Sequence, residues 1–214
     1  MKNNKVFLGV VAAIAIVGFV VVAKFYKNEK TAELAKAPGL AESDLIKPHS
    51  PTIGDPSYPV KFVEFLDPEC EACRMMDPII KGLVKEFEGK IFYVVRYRTF
   101  HPHSLLAAVS LEEAREQGKY WECLSNLFYN LPEWGDHSTP KPENIKKLLV
   151  AQGVKEDTLE ESKLMLKHKW KIDQDTADGD KLQVNATPTF FVNGKRQEDI
   201  SYEALKAAIQ AELR

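Results

Sequence analysis

The sequence predicts an α/β domain, and three observations carry that prediction. An apolar run, Phe62-Val-Glu-Phe-Leu66, passes through Asp67-Pro-Glu69 straight into a helical run that opens at Cys70-Glu-Ala-Cys73. A second strand-like run, Ile91-Phe-Tyr-Val-Val-Arg-Tyr-Arg98, follows that helix, and a β-α-β unit of this kind pairs its strands in parallel. Far downstream, Thr189-Phe-Phe-Val192 is opened by Pro188 and closed by Asn193-Gly194, a dipeptide suited to a tight hairpin.

Taken in order, the chain begins with residues 6 to 23, which contain no charged side chain. As a helix they would extend about 27 Å, close to the hydrocarbon thickness of a bilayer. Lys2 and Lys5 precede this run, which fits a cytoplasmic N-terminus, and Lys24, Lys27 and Lys30 follow it. Residues 1–30 are read as a transmembrane anchor that leaves the rest of the chain in the periplasm or another extracytoplasmic space. The alternative is a signal peptide cut before Lys24, since Val21 and Ala23 permit cleavage, which would release a soluble domain. The run exceeds the ~7–15 residues of a usual signal core, which favours the anchor. No cysteine stands just after it, so lipoprotein anchoring is not expected.

Residues 31–58 are rich in Ala, Pro, Ser and Glu and read as a linker, with Pro51 to Val60 adding a first extended segment. Residues 59–214 form the folded domain. Beyond residue 30 the chain carries 24 basic and 30 acidic residues, a net charge of −6, with no basic patch. Nucleic acid is therefore not expected among its partners.

Within the domain, Lys61–Leu66 is the first strand. The helix from Cys70 to about Glu88 buries Met76, Ile79, Ile80, Leu83, Val84 and Phe87 at helical spacing, and Pro78 inside it should kink it. From about 102 to 182 the pattern is helical. Helices are expected near Ser104–Gln117, Lys119–Leu131, Glu143–Gln152 and Thr158–Ile172, the last opened by a capping-box-like Asp157-x-x-Glu160. Trp121, Phe128 and Tyr129 are assigned to the core. After the hairpin, Ser201 caps a final helix with Leu205, Ala208, Ile209 and Leu213 facing inward.

The chemistry lies in the cysteines. Three are too few for a disulfide scaffold, and Cys123, in Tyr120-Trp-Glu-Cys-Leu124, reads as a buried free thiol. Cys70 stands at a helix N-terminus, where unpaired N–H groups and the helix dipole favour a thiolate. Cys73 lies one turn on, within reach of a short disulfide. On this reading Cys70 attacks and Cys73 resolves. A C-x-x-C pair also occurs in zinc and haem sites, so its surroundings matter.

Those surroundings are a carboxylate, Glu64, in an apolar strand six residues before Cys70, Pro78 five residues after Cys73, and Ala186-Thr187-Pro188-Thr-Phe-Phe-Val-Asn-Gly194. Together with Gly54-Asp-Pro-Ser-Tyr-Pro and His101-Pro-His-Ser-Leu-Leu, they resemble the thioredoxin superfamily, and within it the DsbA-like group. The resemblance covers about residues 48 to 214. It implies a thioredoxin-like fold with a helical insertion between its two halves. It also implies a redox-active Cys70–Cys73 disulfide with no further cofactor or bound metal, a proton-relay role for Glu64, and a cis Pro188 facing the cysteines. Thr187 would contact an extended, cysteine-containing protein substrate.

For an oxidase the resemblance implies a DsbB-like membrane partner. For a reductase or isomerase it implies a DsbD-like donor. Glu71-Ala72 departs from the dipeptides common in the family, and the carboxylates of Glu69 and Glu71 should raise the Cys70 pKa. The expectation is therefore an oxidase of moderate power. A competing class is a copper or zinc delivery module holding metal through Cys70, Cys73 and His101 or His103, although H-x-H spacing is poor for zinc. His101 and His103 are more simply read as loop and helix-start residues.

Overall fold

The computed structural model describes residues 40–214 and, from the N-terminal segment, Gly18, Phe19, Val21 and Val22. Most of the expected anchor, and residues 31–39 of the expected linker, lie outside the described residues. Among the described residues, no helix is long and apolar enough to cross a membrane.

Residues 40–214 form one compact unit. In chain order it comprises α1 (Glu42–Leu45), β1 (Thr52–Ile53), β2 (Val60–Leu66), α2 (Glu71–Glu86) and β3 (Ile91–Tyr97). There follow α3 (Ser104–Glu116), α4 (Tyr120–Tyr129), α5 (Leu131–Trp134), α6 (Glu143–Ala151) and α7 (Glu161–Lys181). The chain closes with β4 (Thr189–Val192), β5 (Lys195–Arg196) and α8 (Tyr202–Ala211). The sheet order is β1-β3-β2-β4-β5. β2 and β3 pair in parallel from Val60↔Ile91 to Leu66↔Tyr97, and β4 lies antiparallel to β2 with Phe65↔Thr189 and Phe62↔Val192. This is a thioredoxin-like α/β fold whose helices α3 to α7 are inserted between β3 and β4.

Both faces of the sheet are covered, so its strands are apolar throughout rather than alternating. One face presents Val60, Phe62 and Leu66 of β2, Ile91, Tyr93, Val95 and Tyr97 of β3, and Phe190 and Val192 of β4. It packs against α2, α3, α4 and α8, and both cysteines of the pair belong to this core. The other face carries Val63, Phe65, Phe92, Val94 and Phe191 beneath Leu45 and Val184.

Pro78 lies inside α2, which continues to Glu86. Three local expectations are revised. Tyr129 ends α4 at 81% exposure instead of joining the core, whereas Phe128 is buried. α7 starts at Glu161 with no side-chain cap, because Glu156–Thr158 form a separate 3₁₀ turn. It also continues nine residues past Ile172, since Asp175 and Asp178 are tied to the buried Arg96. Gly179 on that extension lets Arg98 pass: a Cβ there would sit 2.6 Å from Arg98 Cδ. Ser201 does cap α8, its Oγ accepting the Ala204 N–H at 3.3 Å.

Candidate active site

Cys70 is the N-cap of α2 and Cys73 lies in its first turn. The cysteines of the described chain are free thiols, with Cys70 7% and Cys73 1% exposed. The chain returns to Cys70 at the start of β4, where Thr187–Pro188 is a cis peptide bond. The Cys70 Sγ–H donates to the Thr187 carbonyl at 3.4 Å. The topology thus brings together two segments 117 residues apart.

The two sulfurs are unlike. A hydrogen bond from the Cys73 thiol, opposed by partial burial and helped by the Thr187 side chain and the N–H groups of Cys73 and Ala72, draws the Cys70 pKa down to about 5. Burial, the hydrogen bond to Cys70 and the negative charge of Glu64 push Cys73 well above the ordinary thiol value. This is the split a nucleophile and a resolving thiol require.

Glu64 is 4% exposed, on the same sheet face as the cysteines. Its hydrogen-bond partner is the Tyr93 hydroxyl, which donates to Oε2. Desolvation, against the Tyr93 hydrogen bond and with the charges of Asp77 and Cys70, raises its pKa to about 8. Near neutral pH the group holds a proton it can give up or regain.

Asp67 and Glu69 also belong to the site, and the sequence reading did not single out the part they play. Asp67 is fully buried. Its Oδ1 accepts the Glu69 N–H at 2.8 Å and the Ser104 hydroxyl. Its Oδ2 accepts the Phe100 N–H at 2.7 Å, the His101 N–H at 3.3 Å and His101 Nδ1–H at 2.8 Å. Glu69 accepts the His103 N–H at 2.7 Å, pairs with His103 Nδ1 at 3.0 Å and takes the Ser104 hydroxyl at 3.3 Å. Two carboxylates therefore stitch the cysteine loop to the start of α3.

This arrangement corrects the expectation that Glu69 and Glu71 would raise the Cys70 pKa. The Glu69 carboxylate is turned onto His103 and Ser104, and Glu71 pairs with Arg74 at 3.1 Å at the surface. Among the described residues, the donor atoms of Cys70, Cys73, His101 and His103 do not gather into a metal-binding group. Glu113, Glu116 and His168 do converge elsewhere, on α3 and α7, but Lys167 Nζ already holds Glu113 at 2.8 Å and Glu116 at 2.5 Å. Cys123 is fully buried, and desolvation pushes its thiol up to about 11. A cavity of about 450 Å³ beside α2 and α4 is lined by Asp77, Tyr93 and Trp121, not by the cysteines.

A family model described as Thioredoxin matches residues 47–211. BdbD from Bacillus subtilis, in its oxidised form, is 24% identical with a TM-score of 0.70, over 83% of this chain and 97% of that one. Wolbachia pipientis alpha-DsbA1 is 18% identical with a TM-score of 0.66, over 79% of this chain and 97% of that one. A relative named Na(+)/H(+) antiporter NhaA 3, from Salinispora tropica, is 30% identical over 176 residues, 78% of this chain and 26% of that protein. The chain thus spans about a quarter of the length of the curated relatives it matches. With its inserted helical block and its cysteine pair opposite a cis proline, the chain belongs to the thioredoxin family and carries the DsbA-like form of its fold.

Proposed function

We propose that this domain exchanges disulfides with cysteine-containing protein substrates, acting as an oxidase from an extracytoplasmic position at the membrane. One observation carries this reading: the Cys70 sulfur sits 3.4 Å from the Thr187 carbonyl at the cis Thr187–Pro188 bond, with its pKa drawn down to about 5. In the oxidised domain a substrate thiolate attacks Cys70 Sγ. The Cys70–Cys73 bond breaks, and Cys73 leaves with the electron pair. Glu64, protonated near neutral pH, is the carrier that supplies the proton Cys73 then takes up. A second substrate thiolate attacks the substrate sulfur of the mixed disulfide, and Cys70 departs as a thiolate. The substrate loses two electrons and the domain gains two.

A stabilised Cys70 thiolate favours the reduced domain, which makes its disulfide an oxidant. That supports the oxidase direction over a reductase or isomerase kept reduced by a DsbD-like donor. It also supports more oxidising power than the Glu69 and Glu71 charges suggested. Reoxidation is assigned to a DsbB-like membrane partner, and backbone pairing beside Thr187 to the substrate chain. Antiport, named for relatives several times longer, is not proposed here.

The test is Cys73→Ser in the full chain, expressed in its native membrane. It should accumulate mixed disulfides through Cys70 with proteins that carry several cysteines. Failure to trap any protein, with Cys70 still present and alkylatable, would overturn the reading.

A further inference from the structure

We propose that the cavity between α2, α4, β3 and the Gly54–Tyr58 loop binds a small uncharged aromatic molecule, and that its occupant acts on Glu64 through Tyr93, which the two sites share. The link to Glu64 rests on the reading of that residue as proton carrier, and the binding site itself does not.

The cavity measures about 450 Å³, within the ordinary range of small-molecule sites. Its apolar wall comes from Ile80 and Val84 of α2, Ile91 and Tyr93 of β3, and Trp121 and Leu124 of α4. The Tyr93 and Trp121 rings of that wall already pack together, with centroids 5.7 Å apart and planes tilted by 37°. A flat aromatic guest adds a further ring to such a pair in the offset and edge-on geometries that aromatic rings favour.

The remaining side is a constructed loop. Gly54 sits at φ +95°, and a Cβ there would meet the Ile91 carbonyl at 2.6 Å and the Tyr58 ring at 3.3 Å. Asp55 Oδ1 accepts the Ser57 N–H at 2.8 Å and the Ser57 hydroxyl at 2.6 Å. Lys61 Nζ donates to the carbonyls of Pro56 at 2.7 Å and Tyr58 at 2.6 Å. Gly54-Asp-Pro-Ser-Tyr58, a stretch with no part in the disulfide chemistry, thus holds Tyr58 at the cavity wall.

Charge selects the guest. The ionic groups of the lining cancel, Asp77 and Glu88 against Lys81 and Lys85. Lys81 Nζ meets Asp77 at 2.6 Å and donates to Ser125 Oγ at 2.5 Å, so Asp77 already has its counter-ion. A charged guest would lose water without gaining an unpaired opposite charge inside. Among the described residues, the Tyr58 hydroxyl and the Trp121 indole N–H have no hydrogen-bond partner, which suits a guest carrying one hydroxyl or carbonyl.

Tyr93 gives the site its consequence. Its hydroxyl donates to Glu64 Oε2 and is the hydrogen-bond partner of that buried carboxyl. A guest packed on Tyr93 restrains the donor by which Glu64 is held, and proton supply to Cys73 slows.

The test uses the full chain in lipid nanodiscs, with empty nanodiscs as the blank and 4-fluorobenzyl alcohol as the probe, followed by fluorine NMR. The alcohol should bind saturably, and 4-fluorobenzoate and 4-fluorobenzylammonium about tenfold more weakly or worse. Val84→Phe, which fills the cavity, should lose binding while keeping its circular dichroism. At saturation with the alcohol, exchange with a cysteine peptide should slow by about fivefold, the low end of ordinary coupling between two sites. Binding no stronger than to empty nanodiscs overturns the proposal. So do charged analogues that bind as well as the alcohol, or undiminished binding in folded Val84→Phe. The three probes need no substitution, so the site stays falsifiable if Val84→Phe fails to fold. An unchanged exchange rate at saturation overturns the link to Glu64. Trapping through Cys73→Ser would survive each of these results, so failure here is distinguishable from failure of the oxidoreductase reading.

Discussion

Buried charge is handled in opposite ways on the two faces of the sheet. On one face Arg96 is fully buried, and its donors are met by Asp175 at 2.7 Å, Asp178 at 2.8 Å and the Leu45 carbonyl at 2.8 Å. Asp175 in turn meets His49 at 2.8 Å and accepts the Tyr97 N–H at 2.9 Å. On the other face Glu64 has one neutral partner, the Tyr93 hydroxyl. A buried ion with a full set of partners ties elements together, here α1, β3 and α7. A buried acid with one neutral partner is shifted into the range where it titrates, which is where proton transfer needs it.

The comparison breaks most visibly if the first network is removed. Asp175→Ala takes the partner from the Arg96 Nε–H, from His49 and from the Tyr97 N–H, and should cost about 3–5 kcal/mol of unfolding free energy, the usual penalty for breaking a buried pair. Urea denaturation at pH 7 measures it. A loss below about 1 kcal/mol would mean that the ionic network is ornamental and that the contrast with Glu64 teaches nothing.

Glu64→Gln should act in the other direction. The folded-state pKa of about 8 lies above the unfolded value near 4.5. Between those limits the native state holds a proton that the unfolded state has released, so stability falls as pH rises from about 4.5 through 8. Replacing Glu64 by Gln removes that slope and should stabilise the domain by at most roughly 4 kcal/mol at pH 8 and far less at pH 4.5. Urea midpoints at several pH values decide this, and parallel pH profiles for the two proteins would contradict it. The same variant should slow proton-coupled departure of Cys73 by about 100-fold, an acid–base contribution of ordinary size, seen by stopped-flow reaction with a cysteine peptide.

The contrast also explains what could be read beforehand. Glu64 stood out because a carboxylate among Phe62, Val63, Phe65 and Leu66 violates the pattern of a buried strand. The strands, α2 and the Ser201 cap followed from local periodicity and capping. Asp67 and Glu69 gave no such signal: Asp-Pro-Glu looks like turn chemistry, and their imidazole and hydroxyl partners lie more than 30 residues away. The C-terminal part of α7 was hidden for a related reason. Asp173, Asp175, Asp178 and Asp180 suggest a solvated loop until Arg96 and Arg98 are placed opposite three of them. Tyr129 failed in the reverse sense, since an aromatic at the end of a helix can point outward as readily as in.

The smallest expected effect concerns the third sulfur. Cys123 shares the apolar core with Cys73, and both thiols are raised by burial; the charges of Glu122 and Lys119 oppose each other at Cys123, whereas Glu64 and Cys70 both push Cys73 upward. With its pKa pushed up to about 11, Cys123 stays a thiol at working pH and is packed out of reach. In the native reduced protein, a brief pulse of iodoacetamide at pH 7 should label Cys70 alone, and peptide mapping reads the result. Cys123→Ala should leave disulfide exchange rates unchanged and cost about 1 kcal/mol, as loss of one buried atom does. If exchange slowed instead, a buried thiol away from Cys70 and Glu64 would take part in the chemistry, and reactive and structural sulfurs could not be told apart by their partners.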